Sequence, residues 1–253
     1  AEQTPLTALE LARELADLLP PGVLNVVTGY GPDAGAPLAR HRGIRKVAFT
    51  GETATGRLIL QYAAENIVPA TVELGGKSPQ IVFPDADIDR AVEGAVNGIC
   101  QCQGEVCFAG SRLFLHRDVH DAFLEKLAAK MSALKVGDPL KEETQVGSLI
   151  SREQLDRVVS WIETGKREGA RLVCGGTRPD DPSLARGFFL TPALFDGVRN
   201  DMRIAQEEIF GPVLSVIPWS DVDAMIEEAN GVPYGLAAGV WTRDLSAAVR
   251  AAK

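Results

Sequence analysis

Short runs rich in β-branched and aromatic residues alternate with longer stretches of helical period along the chain, and this alternation leaves few architectures open. Strand-like runs stand at residues 23–27, 46–50, 71–74, 79–83, 112–116, 171–174, 213–218 and 238–242. Apolar residues recur at helical spacing over residues 6–19, 53–66, 87–100, 118–134, 152–168 and 221–230, and Leu245 begins a last helix. Thr4 and Pro5 read as the N-cap and N1 of the first helix, which Pro20-Pro21 stops. Strands separated by single helices imply βαβ units and parallel sheets, because parallel neighbours require a crossover. Residues 175–186 have the composition of a long surface loop.

With 253 residues the chain can form one large domain or two modest ones. Its 26 Lys and Arg against 34 Asp and Glu leave a net charge of −8 without a dense basic run, so neither nucleic acid nor membrane is expected as a partner. Small molecules or other subunits are expected instead. Charge or glycine interrupts every apolar run before the roughly 18 residues a membrane span needs, and no signal peptide is visible. Four cysteines, Cys100, Cys102, Cys107 and Cys174, are too sparse for a secreted disulfide scaffold and fit a reducing, cytoplasmic compartment. The first three lack a fourth ligand nearby, and His41, His116 and His120 show no finger spacing, so no metal site is expected.

Three stretches carry residue types suited to chemistry. Phe49-Thr50-Gly51-Glu52-Thr53-Ala54-Thr55-Gly56 sets two glycines at a strand-to-helix turn, either a plain tight turn or a place where helix N-terminal N–H groups meet a phosphate. Glu52 suits the helix dipole but repels such an anion. In Glu73-Leu74-Gly75-Gly76-Lys77 a glutamate ends an apolar strand, either solvated at the sheet rim or held for proton transfer. In Gln103-Gly104-Glu105-Val106-Cys107-Phe108-Ala109-Gly110-Ser111-Arg112 a cysteine sits in a loop before a strand, either inert or open to a substrate among small residues.

Together these stretches resemble the aldehyde dehydrogenase superfamily over the whole chain. Phe49-Thr50-Gly51-x-Thr53-x-x-Gly56 is similar to its cofactor turn, Glu73-Leu74-Gly75-Gly76-Lys77 to its glutamate signature, and the Gln103–Arg112 stretch to its cysteine signature. Glu207-Glu208-Ile209-Phe210-Gly211-Pro212 resembles the segment that reaches the nicotinamide ribose, and Asn230-x-x-x-Tyr234-Gly235-Leu236 a later landmark. Five motifs in order are far more specific than any one. The interval from Glu73 to Cys107 is the one expected in the family's hydrolytic branch.

The resemblance implies an α/β fold of Rossmann-like parallel sheets. Residues 1–74 would be the C-terminal part of an NAD-binding domain and 75–253 an aldehyde dehydrogenase catalytic domain. It implies oxidation of an aldehyde to a carboxylic acid with NAD, through a thiohemiacetal and an acyl thioester on Cys107, with Glu73 as the base that activates water. Glu73 argues against the branch that passes the acyl group to coenzyme A. Cofactor contacts fall to Gly51, Glu52, Thr53, Ala54, Thr55, Gly56 and Leu74. Glu208 and Phe210 are placed on the nicotinamide ribose and ring, and Gly31 and Gly35 at the adenosine end. Glu2 falls where the family places an acid on the adenosine ribose, which favours NAD over NADP. Glu52 stands where serine is usual, and Cys102 where asparagine is common. Val106 and Phe108 beside the cysteine suggest an apolar substrate tunnel, and Cys100, Cys102 and Cys174 keep the inert reading.

The chain opens on Ala1 and closes on Lys253 within a helical run, which reads as a piece of a longer polypeptide. On the resemblance, a cofactor-binding lysine and an oxyanion asparagine belong upstream of Ala1, and a subunit-pairing strand beyond Lys253. The piece alone is therefore expected to turn over poorly, and its parent to be a homo-oligomer. A cofactor-independent thiol esterase using the same Cys107 and Glu73, and a non-catalytic binding protein on a dehydrogenase scaffold, are the alternatives.

Overall fold

The computed structural model describes residues 2–252, and Ala1 and Lys253 lie outside the described residues. The chain forms two compact units, the first ending at Leu74 and the second beginning at Gly75.

The first unit runs α1 (Leu6–Leu15), a π-helical turn (Gly31–Gly35), α2 (Ala36–Arg40), β1 (Val47–Thr50), α3 (Thr53–Glu65) and β2 (Ala70–Glu73). β1 and β2 pair in parallel from Val47 opposite Ala70 to Thr50 opposite Glu73, with α3 as the crossover. Gly56 lets α3 lie close to the end of β2, since a Cβ there would meet Leu74 Cδ2 at 2.3 Å.

Three sequence readings are corrected in this unit. Pro5, not Thr4, is the N-cap: its carbonyl accepts the first helical bond from Leu9 N–H at 3.0 Å, so the helix starts one residue later. That helix ends at Leu15, and residues 16–18 continue only as turns. Residues 23–27 form no strand; Val23 and Val27 are exposed, and no neighbouring strand ladders with them among the described residues.

The second unit carries β3 (Pro79–Val82), α4 (Ile88–Cys100), a 3₁₀ turn (Gln101–Gly104), β4 (Arg112–His116), α5 (His120–Ser132), α6 (Arg152–Arg167) and β5 (Arg171–Cys174). β6 (Ala193–Asp196), α7 (Arg203–Gln206), β7 (Val213–Trp219), α8 (Val222–Asn230), β8 (Gly239–Trp241) and α9 (Leu245–Ala252) complete it. The strands form one sheet in the order β5-β6-β7-β4-β3-β8. All neighbours are parallel except β5 and β6, where the chain returns through 175–192 without an α-helix and pairs antiparallel. β6 and α7, each four residues long, are two elements that the sequence pattern did not mark.

Both faces of this sheet are covered. Ile81, Phe114 and Phe195 pack with Leu155, Val158 and Ile162 of α6 on one face. Val82, Leu113, Leu115, Leu214 and Val216 pack with α4 and α5 on the other, through residues such as Val92, Ile99 and Phe123. The alternation along β4 is therefore one of two buried faces, which explains its unbroken apolar run. Side-chain caps fix the helix starts: Asp87, Ser151 and Asp221 accept N–H bonds from Arg90, Gln154 and Ala224.

A polar cluster ties α5 to the β5–β6 edge. His120 Nε2 lies 2.9 Å from Asp196 Oδ1 and its Nδ1 2.9 Å from Asp121 Oδ1, while Arg171 donates to Asp196 Oδ2 at 2.6 Å. Both ring nitrogens face carboxylate oxygens, so both must donate, which requires the imidazolium. Burial alone would lower the His120 pKa, but the bonds to Asp121 and Asp196 outweigh it and raise it. A raised histidine pKa contributes stability in full below the unfolded value and loses it as pH rises through the folded one. His120→Gln is expected to cost about 1 kcal/mol near pH 6 and progressively less in alkaline buffer, as read by urea unfolding at several pH values. A pH-independent loss would contradict the imidazolium assignment.

Candidate active site

The loop bearing Cys107 joins α4 to β4 and begins in an unusual backbone. Cys102, Gln103 and Gly104 are left-handed in succession, with φ of 47°, 59° and 71°. Each non-glycine residue of this kind costs about 1–2 kcal/mol, so other contacts must hold the turn. Gln103 Oε1 accepts Gly147 N–H at 3.1 Å, and Glu105 N–H donates to Cys102 O at 3.0 Å. Glu105 Oε1 accepts Ile150 N–H at 3.2 Å; burial pushes that carboxyl above its ordinary value, against the pull of this bond. Gly104 is demanded by space as well as by φ, since a Cβ would lie 2.4 Å from the Gly211 carbonyl carbon. Downstream, Gly110 N–H bonds Gly98 O at 2.9 Å, so the loop is anchored at both ends. Cys107 is half-buried between these anchors.

Gly76 passes directly against this loop: a Cβ on it would lie 2.5 Å from the Cys107 carbonyl oxygen. Its N–H donates to Glu208 Oε1 at 3.3 Å, and a Cβ on Gly75 would fall 2.0 Å from Glu208 Oε2. The Glu208–Phe210 segment is held in turn by α6. Gln154 Nε2 donates to Phe210 O at 2.5 Å and Ile209 O at 3.2 Å, and Arg157 Nη2 to Glu208 O at 3.4 Å. Phe210 is left-handed at φ 57° and is 38% exposed. A cavity of about 10 Å³, room for one water, lies between Gly76, Gly104, Ser111 and Glu208. Gln154 and Arg157 were missed in the sequence; their only signal is a spacing of three on one helix face, common to any solvated helix.

These segments precede β3, β4 and β7, so the site gathers at the amino ends of parallel strands. Open α/β sheets usually bind ligands beyond the carboxyl ends. Lys77 is 2% exposed, and its Nζ has no hydrogen-bond partner among the described residues. Burial, with the Arg112 cation, pushes its pKa down to about 7, against the pull of Glu208 and Glu207. Arg112 is itself buried, with its guanidinium on the carbonyls of Lys77, Glu228 and Ala229 and on Asn200 Oδ1. Among the other cysteines, burial, reinforced by Cys174, pushes the Cys100 thiol up to about 12, and burial also raises Cys174. Neither favours a thiolate.

In the first unit, Glu73 is exposed at the carboxyl end of β2. Gly51 N–H bonds Glu73 O at 3.0 Å, and a Cβ on Gly51 would strike the Phe49 ring at 2.6 Å. Glu52 is the N-cap of α3 but its side chain makes no cap bond, so the helix's first N–H groups, at Thr53, Ala54 and Thr55, remain suited to an anion. Gly56 and Leu74 pack on each other. Gly31 and Gly35 bound the π-helical turn, and a Cβ on either would meet nothing within 4 Å. Glu2 is exposed. Within the first unit, an uncapped helix N-terminus and open glycines suit the phosphate-bearing part of a dinucleotide; within the second, taken by itself, a carboxylate over Gly75-Gly76 and an accessible Phe210 suit a ribose and its ring.

The family model described as the aldehyde dehydrogenase family matches residues 1–253. An aldehyde dehydrogenase from Rhodospirillum rubrum is 49% identical over 257 residues, covering 99% of this chain and 50% of its own length. A hydroxyisobutyraldehyde dehydrogenase from Mycolicibacterium austroafricanum is 50% identical over 254 residues, covering 100% of this chain and 50% of its own. The solved NAD+ complex of an aldehyde dehydrogenase from Bacillus cereus matches with a TM-score of 0.95 at 44% identity, over 99% of this chain and 50% of that one. The chain spans about half the length of the curated relatives it matches.

Proposed function

The chain belongs to the aldehyde dehydrogenase family, and from that premise we propose that the protein oxidises an aldehyde to the carboxylic acid with NAD as hydride acceptor. The observation that carries this reading is the double contact of Gly76, whose backbone packs on the Cys107 carbonyl and donates to Glu208. One glycine thus brings the thiol-bearing loop beside the carboxylate assigned to the nicotinamide ribose.

In this reading the Cys107 thiolate adds to the aldehyde carbon, forming a C–S bond while the carbonyl oxygen takes up the negative charge. Bound NAD supplies the acceptor for the hydride that leaves this carbon. Glu208 would accept hydrogen bonds from the ribose hydroxyls of the bound cofactor, and Phe210 would bound its nicotinamide ring. Glu73 takes a proton from the water that attacks the resulting thioester, whose C–S bond then breaks to return Cys107. Its assignment rests on its place in the glutamate signature. The N-terminus of α3, at Thr53, Ala54, Thr55 and Gly56, is assigned to the pyrophosphate together with Gly51 and Leu74, with the N-cap Glu52 beside the cofactor and its carboxylate turned away from the phosphates. Gly31, Gly35 and Glu2 are assigned to the adenosine end. Residues 1–74 then belong to the NAD-binding domain and 75–253 to the catalytic one. We place the protein in the cytoplasm as a homo-oligomer, on its sparse free cysteines and on the family resemblance.

The test is NADH formation from simple aldehydes. NAD is expected to be used, with kcat/KM for NADP roughly a hundredfold lower because Glu2 repels a 2′-phosphate. Equal use of NADP would remove that role from Glu2, and absence of NADH formation with any aldehyde would remove the reading itself.

A further inference from the structure

We propose that Glu105 and Gln103 are positioning residues for Cys107: their side-chain oxygens pin the turn that precedes it to the backbone of residues 147–150, and this hold sets where the sulfur stands. The inference rests on the reading of Cys107 as the nucleophile. Two turns follow one another in the loop, closed by Glu105 N–H on Cys102 O at 3.0 Å and by Ala109 N–H on Val106 O at 3.0 Å. Cys107 lies inside the second, directly after the Glu105-Val106 junction. A shift of the first turn therefore carries the sulfur with it.

The first turn does not hold itself, because Cys102 and Gln103 stand at φ of 47° and 59°, where a side chain is disfavoured. Both pins end on a fixed wall. Gln103 Oε1 accepts Gly147 N–H at 3.1 Å and Glu105 Oε1 accepts Ile150 N–H at 3.2 Å. Residues 147–150 form no helix or strand, so these N–H groups depend on side-chain acceptors. Gly147 admits the first of them closely, since a Cβ there would lie 3.2 Å from Gln103 Oε1. The wall is anchored in turn: Leu149 N–H donates to Phe188 O at 3.1 Å, and Ser148 Oγ accepts Phe188 N–H at 3.1 Å. α6 starts directly behind it at the Ser151 cap and holds Ile209 and Phe210 through Gln154. The thiol loop and the 208–210 segment are thus held by different side chains, so one hold can be cut without the other. Each pin needs an acceptor oxygen and no charge, which glutamine supplies at either position.

The experiment compares the unsubstituted protein with Glu105→Leu, Gln103→Met, Glu105→Gln and Cys107→Ala. It reads NADH formed in a single turnover, NAD affinity by calorimetric titration, and alkylation of Cys107 by iodoacetamide through mass spectrometry of its peptide. Glu105→Leu and Gln103→Met are expected to slow the single turnover by about 10–100-fold, the usual cost of a misplaced reacting group, with NAD affinity within about twofold. Glu105→Gln should match the unsubstituted protein in all three, because it keeps the acceptor. Alkylation needs no turnover and carries the comparison even if no NADH forms. Its rate should approach that of a free thiol in a peptide of residues 102–112 for Glu105→Leu and Gln103→Met, and stay apart from it for the unsubstituted protein and Glu105→Gln. If Glu105→Leu keeps both rates within about twofold, or Glu105→Gln changes them as much as Glu105→Leu does, the positioning role is overturned and the nucleophile reading stands. A loss of NAD affinity equal to the loss of rate also overturns it, as the mark of general damage to the fold. Cys107→Ala that still forms NADH removes the nucleophile reading and the proposal with it. Gln103→Met decides the matter even if Glu105→Leu does not fold: both rates within about twofold, with the other pin removed, overturn the proposal as well.

Discussion

Alanine at position 107 is expected to lower kcat/KM for aldehyde oxidation by about 10⁴-fold or more, because without the thiol there is no covalent route to the acyl level. The fold should survive. The loop's shape comes from the Gln103–Gly147 and Glu105–Ile150 bonds, from Gly104 against Gly211 and from Gly76 against the Cys107 backbone, none of which involves the sulfur. Unfolding free energy should therefore change by no more than about 0.5 kcal/mol, the ordinary range for a substitution without a special contact. Serine at the same position should be nearly as inactive, since a hydroxyl without an adjacent base is a poor nucleophile at neutral pH. The measurement is NADH formation in the steady state and in a single turnover, beside urea unfolding of each variant. Cys107→Ala activity within tenfold of the unsubstituted protein would transfer the nucleophile's role elsewhere. Cys100 and Cys174 are poor candidates for it, because burial raises both thiols.

The parts of this fold legible in the sequence are those where one local signal decides the outcome. The strands at 112–116 and 171–174 appear with the bounds their apolar runs imply, and Asp87 and Asp221 mark helix starts because their side chains cap them. The run at 23–27 has the same β-branched composition yet stays unpaired, since a strand needs a neighbour and composition does not supply one. The antiparallel turn of β6 onto β5 was likewise hidden: it depends on a connection without a helix, while the reading assumed crossovers throughout. At the site, glycines around the cysteine announced close approach, but which backbone approaches was not readable. Gly76 meets the Cys107 carbonyl and Gly104 the Gly211–Pro212 backbone across long separations. The burial of Lys77 was invisible for the same reason, because an exposed lysine and a buried one are spelled alike.

Glutamine in place of Glu73 separates the two halves of the proposed reaction. It keeps the size and the planar head of the side chain but removes the basic oxygen, so acylation of Cys107 and the first NADH should persist while deacylation slows. Steady-state turnover is expected to fall by about 10²–10⁴-fold, the usual worth of a general base. A rapid burst approaching one NADH per site should precede it. The strand should be undisturbed, because β2 holds its register against β1 through backbone bonds, including Gly51 N–H to Glu73 O at 3.0 Å, and the Glu73 side chain is exposed. Rapid mixing of enzyme and aldehyde with NAD reads the burst, and mass spectrometry of the quenched protein reads the acyl group on Cys107. A variant that loses the burst together with turnover would place Glu73 in thiol activation or cofactor binding instead. One that keeps full turnover would leave it as a solvated strand end.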